Sequence, residues 1–132
     1  MTAKEWLSRA RTIDRELTAL CEAREMMIAQ MTNATQGFTA DPVQSSKDPH
    51  KFDRLGELAY DIDRRTRELD HVKSEILRAI NRVPDGLCRI VLIERYLNMK
   101  SFERVAVDNY ISIRNVWRIH GRALGMVEKI LA

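Results

Sequence analysis

The chain is short of the residues that interrupt helices, with 5 Gly and 3 Pro, while Leu, Ile, Ala, Arg and Glu are plentiful. Sheet proteins spend glycine and proline on their many turns, so the shortage predicts an all-α fold. Cysteine is equally scarce. Cys21 and Cys88 lie far apart, with no second Cys or His at ligand spacing. That leaves no basis for a zinc site or a disulfide framework and predicts two small, buried apolar residues. No apolar run reaches the roughly 18 residues needed to span a bilayer. Met1 to Ala10 also lacks the basic-then-apolar layout of a secretory leader. The expected location is therefore the cytosol, with no membrane partner.

Catalytic constellations are missing as well. His50, His71 and His120 are isolated from one another, and no glycine-rich phosphate loop or nucleophile motif occurs. Neighbouring carboxylates such as Asp61 and Asp63 fall on different faces of a helix. These absences predict no enzyme, no cofactor, no metal and no small-molecule substrate. His71 and His120 are expected at the surface or in hydrogen bonds. With 132 residues the chain has room for one compact domain, or for a small domain and an extended helical arm.

What is present is an uneven charge. Met1 to Val83 holds fourteen Lys and Arg against fourteen Asp and Glu, whereas Leu87 to Ala132 holds eight against four. A neutral arm joined to a basic end suits a protein whose end meets a polyanion, although such an excess also occurs in ordinary helices.

Thr2-Ala3-Lys4-Glu5 has the spacing of a capping box and predicts a helix start. Trp6, Ala10, Ile13, Leu17, Leu20, Met27 and Met31 then recur at steps of about three and four residues, the seam of a helix that needs a partner. Thr32 to Pro49 breaks the period with Gly37, Pro42 and Pro49 and predicts a loop over about 32–49. Asp48-Pro49 suits a helix start, and Phe52, Leu55, Ala59, Ile62, Leu69, Val72, Ile76 and Ile80 form a second stripe that ends at Val83-Pro84-Asp85-Gly86. Each long helix has one apolar stripe and requires another helix against it. Pairing within the chain makes an antiparallel, coiled-coil-like hairpin over 1–83. Pairing between chains makes a homodimer. Arg24, Thr66 and Lys73 near the seam are candidates for fixing register.

Three shorter apolar patterns follow over 87–132: Leu87 to Leu97, Ser101 to Asp108 and Ser112 to Leu131. Ser101 and Ser112 are good N-caps, and only a few residues separate the second pattern from the third, which is helix-turn-helix spacing. If Val116, Ile119, Ala123, Val127 and Ile130 face inward, the outward face of the last helix is Arg114, Asn115, Trp117, Arg118, Gly121 and Arg122. Arginine forks onto guanine, asparagine pairs with adenine, and free amides at a helix start hold a phosphate. Ile113, Arg114 and Trp117 are therefore placed on base edges or groove walls, Asn115 on adenine, and Arg118 in either role. Ser112, Lys100 and Arg122 are placed on phosphates, with Ser101 in the same DNA-binding set. The alternative is a solvated helix face with Trp117 packed beneath a neighbouring helix.

Arg95-Tyr96-Leu97, Ser101-Phe102-Glu103 with Val105-Ala106, Ser112-x-Arg114-x-Val116-x-Arg118 and His120-Gly121-Arg122-Ala123-Leu124 resemble the end of small phage and prophage regulators of Gram-positive bacteria. These are late transcriptional activators of the RinA and ArpU kind, whose C-terminal part is similar to the fourth region of sigma factors. Val43-Gln44-Ser45-Ser46 and the two long helices extend the resemblance over most of the chain. The resemblance implies binding to double-stranded DNA at a phage promoter or operator and recruitment of host RNA polymerase. Where the family pattern has Leu-Gly in the inter-helix turn, this chain has Asn109-Tyr110. One of the two must then enter the left-handed region, or the turn is rebuilt. Two other readings follow from the same elements: a small terminase-like subunit for DNA packaging, and a helical protein adaptor that does not bind DNA.

Overall fold

The computed structural model describes the backbone of residues 1–36 and 51–132 and the side chains of residues 1–32 and 53–132. Among the described residues the only regular structure is helical, with no strand. The elements are α1 (Ala3–Gln36), α2 (Lys51–Ile80), α3 (Gly86–Leu92), a single π turn that continues it (Ile93–Leu97), α4 (Phe102–Asp108) and α5 (Ile113–Leu131). None of these helices is long and apolar enough to cross a membrane.

Helix α1 begins where the capping box predicts. Thr2 Oγ1 accepts from the Glu5 N–H at 3.2 Å, and the Glu5 carboxylate accepts from the Thr2 N–H at 3.1 Å. The helix runs to Gln36, beyond the break expected at Thr32. Thr32 to Gln36 contains no Gly or Pro, and polar residues at a helix end cost only tenths of a kcal/mol each, roughly. The rest of the expected loop, Val43 to Ser46 and the Asp48-Pro49 cap lie outside the described residues.

The chain divides into two compact units, one made of Met1–Ile13 with Leu69–Ala132 and the other of Asp14–Glu68. The division crosses both long helices instead of falling at Pro84-Asp85-Gly86. Its physical reason is the core of the first unit, which takes Ala3, Leu7, Ala10 and Ile13 from α1 and Leu69, Val72, Ile76 and Ile80 from α2. These join Cys88, Val91, Leu92, Tyr96, Val105, Val116, Ile119, Ala123 and Val127. Leu7, absent from the predicted seam, is fully buried. Trp6, which the spacing put there, is half-buried, with the Arg9 guanidinium 4.7 Å above its ring. Small Ala3 and Ala10 flank Leu7 on one face, so α1 can approach closely along that line. Two polar contacts anchor it there. The Ala3 N–H donates to Glu128 Oε1 at 2.7 Å, and Arg9 pairs with Glu75 at 3.1 Å.

In the second unit Leu17, Leu20, Met27, Leu55, Leu58 and Ile62 are half-buried and Ala59 is exposed. Arg65 joins α2 to α1 through Glu16 at 3.0 Å. The residues expected to fix register behave otherwise. Arg24 is exposed, and the Thr66 hydroxyl donates to Ile62 of its own helix at 2.7 Å. Lys73, in the first unit, is half-buried. Arginine reaches across a helix pair to a carboxylate, whereas a threonine hydroxyl finds the nearer carbonyl of the preceding turn. Cys88 is buried as expected, with its Sγ 3.9 Å from the Ile119 carbonyl, while Cys21 is only half-buried.

Candidate nucleic-acid interface

The candidate surface is built on three caps. Asp85 precedes α3, and its carboxylate accepts from the amides of Leu87 at 2.9 Å and Cys88 at 3.3 Å. Those bonds hold its carboxyl below the usual range. Ser101 caps α4 by accepting from the Arg104 N–H at 3.1 Å, and Ser112 caps α5 by accepting from the Asn115 N–H at 3.1 Å. Both serines stand where local cap chemistry places them.

Between α4 and α5 the chain turns through a Schellman motif. The Ile111 N–H donates to the Ala106 carbonyl at 3.1 Å and the Tyr110 N–H to Val107 at 3.3 Å, with Tyr110 at φ 57°. Tyr110, not Asn109, therefore takes the left-handed conformation. Its ring is 94% exposed and surrenders no packing. Asn109 is held by its side chain, whose amide donates to Glu94 Oε2 at 2.6 Å and to the Val105 carbonyl at 2.8 Å. Met99 closes the π turn in the same way at φ 61°, followed by a bond from the Lys100 N–H to the Glu94 carbonyl at 3.0 Å.

A charge network ties these turns together. Lys100 Nζ lies 2.9 Å from Asp108 and 3.3 Å from Glu94, and Arg104 lies 3.1 Å from Asp108. The hydrogen bond from Lys100 holds the Asp108 carboxyl low, and the same bond holds the Lys100 ammonium above its ordinary value. Lys100, expected on a phosphate, has its charge already balanced by two carboxylates, and a polyanion would have to compete with both.

On α5 the apolar residues Val116, Ile119, Ala123 and Val127 are buried, and Ile130 is half-buried. Arg114, Asn115, Trp117, Arg118, Gly121 and Arg122 are all exposed, and Ile113 is half-buried. Trp117 is 55% exposed and so does not pack beneath a neighbouring helix. Arg114, Arg118 and Arg122 follow one another at every fourth position and form a single ridge, with no Asp or Glu between Asp108 and Glu128. Neither Arg114 nor Arg118 meets a carboxylate among the described residues. Arg122 reaches Asp85 Oδ2 at 3.3 Å. The ridge therefore presents two uncompensated guanidinium groups and a third shared with the α3 cap. An amide and an indole stand beside them.

The support beneath this face includes a residue that the apolar stripe leaves out. His120 is buried, and its Nε2 lies 2.6 Å from the Tyr96 hydroxyl. The Phe102 ring meets the imidazole edge-on at 4.9 Å, and the Arg95 guanidinium lies 4.1 Å above Phe102. Burial first, then the positive charges of Lys4 and Arg95, push the imidazole pKa down to about 4, so His120 is neutral near neutral pH. The signal was its spacing, since His120 follows Val116 by one turn and shares the inward face. Among the described residues no group of His, Cys, Asp and Glu is placed to hold a metal.

Compared with protein families, with characterised proteins and with solved structures, the chain matches none.

Proposed function

We propose that this chain is a sequence-specific DNA-binding transcriptional regulator of the phage or prophage kind, acting as an activator of late genes. In this reading α4, the Asn109-Tyr110 turn and α5 are a helix-turn-helix with α3 as its supporting helix, and the paired long helices are its arm. The observation that carries the proposal is the acid-free ridge of Arg114, Arg118 and Arg122 on the exposed face of a serine-capped helix. Arg114, Asn115 and Trp117 are assigned to base edges and groove walls, and Arg118 to bases or phosphate. Ser112 and the adjoining free amides take a phosphate, with Arg122 and Ser101 beside them. The ion pairs Arg9–Glu75 and Arg65–Glu16 favour pairing of the long helices within one chain, which leaves a homodimer to other surfaces.

The test is binding to duplex DNA from upstream of the element's own genes, measured by anisotropy over a range of salt concentrations. The expected result is a preference over scrambled duplex and a steep loss of affinity with salt. Arg114→Ala should cost about 1–3 kcal/mol of binding and relax sequence preference. Equal binding to scrambled DNA, or full activity in cells of the double variant Arg114→Ala, Arg118→Ala, sinks the proposal.

A further inference from the structure

The first unit also carries a groove that the arginine ridge does not use. It is an open depression of about 280 Å³ between the first turns of α1, the last turns of α2 and the end of α5. Trp6, Ala79, Ile130 and Leu131 supply its apolar wall, and Glu75, Arg78 and Arg82 its charged groups. Ile130 stands some 18 Å along α5 from Arg118, so occupation of one surface leaves the other open.

The charges in the groove are unequal. The Glu75 carboxylate is already engaged by Arg9 at 3.1 Å and by His71 at 2.8 Å, and the bond from Arg9 holds its carboxyl below the usual range. Arg78 and Arg82, one turn apart and both exposed, meet no carboxylate among the described residues. The result is an apolar slot with two unbalanced guanidinium groups. A phosphate backbone would gain nothing from Trp6 and Leu131 and would face the Glu75 carboxylate. A protein segment with an apolar anchor and neighbouring carboxylates satisfies both the wall and the charge. Trp and Arg are also the residue types on which binding energy concentrates at protein interfaces.

We infer that this groove docks an acidic protein segment, with one large apolar side chain set against Trp6 and Leu131 and carboxylates paired to Arg78 and Arg82. The inference stands apart from the DNA-binding reading.

The test uses the full chain with Trp117→Phe, so that Trp6 is the one tryptophan remaining of 2. The probe is a synthetic helix-forming peptide of Glu, Ala and Leu with a single Phe, and its control carries Gln at every Glu. The acidic peptide should shift Trp6 emission saturably, and the Gln peptide should bind at least about tenfold more weakly. The double variant R78E, R82E should abolish the shift at an unchanged melting temperature, because both side chains are exposed. Leu131→Glu, at the exposed end of α5, should weaken it by a similar factor. Arg114→Ala with Arg118→Ala should keep the peptide in this background, and in the chain that retains Trp117 should lose DNA. Absence of a Trp6 response at millimolar peptide, or equal binding by R78E, R82E, overturns the inference. A Trp6 response to duplex DNA that R78E, R82E abolishes overturns it in favour of a phosphate-binding groove.

Discussion

Tyr110 holds a conformation that suits glycine, at a position where its ring touches little else. A left-handed non-glycine residue costs about 1–2 kcal/mol, part of which glycine returns by its greater freedom in the unfolded chain. Tyr110→Gly should therefore raise stability by up to about 1 kcal/mol, read as a higher melting temperature. A lower melting temperature would show that the ring contributes contacts elsewhere. Gly121 and Gly125 pose the reverse case, because a Cβ added at either meets nothing within 4 Å. Alanine at each should stabilise α5 by about 1 kcal/mol. If the docking face is as proposed, Gly121→Ala should weaken DNA binding and Gly125→Ala should not. The pH response belongs to His120. Its folded pKa of about 4 lies below the ordinary 6.5, so between these values the unfolded chain takes up a proton that the folded chain refuses. Stability is complete above pH 6.5 and falls as the pH drops toward 4, by about 3 kcal/mol. Melting curves at pH 7 and pH 5 check this, and His120→Leu should flatten the difference. The same variant leaves the buried Tyr96 hydroxyl without its partner and should cost about 1–3 kcal/mol at pH 7.

At the scale of elements, the parts that the sequence makes legible are those whose cause is local. Thr2 with Glu5, Ser101 and Ser112 each satisfy amides within three residues, so their helix starts follow from neighbouring chemistry. The inward stripe Val116, Ile119, Ala123, Val127 needs only the helical period. Features set by distant partners are not legible in this way. Leu7 rather than Trp6 faces the core because α1 is positioned by Glu128 and Glu75, residues far along the chain. The π turn over Ile93–Leu97 has no marker in its own residues, and its widening is stabilised by the Lys100 and Asn109 contacts to Glu94. Lys100 suits a phosphate by its place in the sequence, and its two carboxylate partners are brought to it by the fold. A prediction separates the two roles. Arg118→Ala should lower the salt slope of DNA binding by about one, whereas Lys100→Ala should leave that slope unchanged and lower the melting temperature. An equal loss of slope in both variants would return Lys100 to the DNA surface.

For the whole molecule, the main finding is where the compact unit begins and ends. The charge count and the Pro84-Asp85-Gly86 turn invite a division between arm and basic end, but the core of the first unit contains four residues of α1 and five of α2 beside the last three helices. Residues 87–132 alone should therefore lack the part of the core that α1 and α2 supply and fold poorly, whereas the full chain should melt cooperatively. Circular dichroism of the two species checks this, and a cooperative melt of the fragment at the temperature of the full chain would refute it. What the sequence could not disclose at this scale was which apolar stripe answers which, because each stripe is compatible with any other helix of matching face.

The bond between the Ala3 amide and Glu128 joins residues 125 apart in sequence. During synthesis the first helix emerges long before the surface that completes its burial. The Ala3 amide has no partner until α5 has been made. Closure of such distant segments slows folding relative to a bundle of neighbouring helices. A chain whose synthesis stops before α5 lacks the Val116, Ile119, Ala123 and Val127 of its core, and the apolar surface left open makes it a substrate for proteolysis.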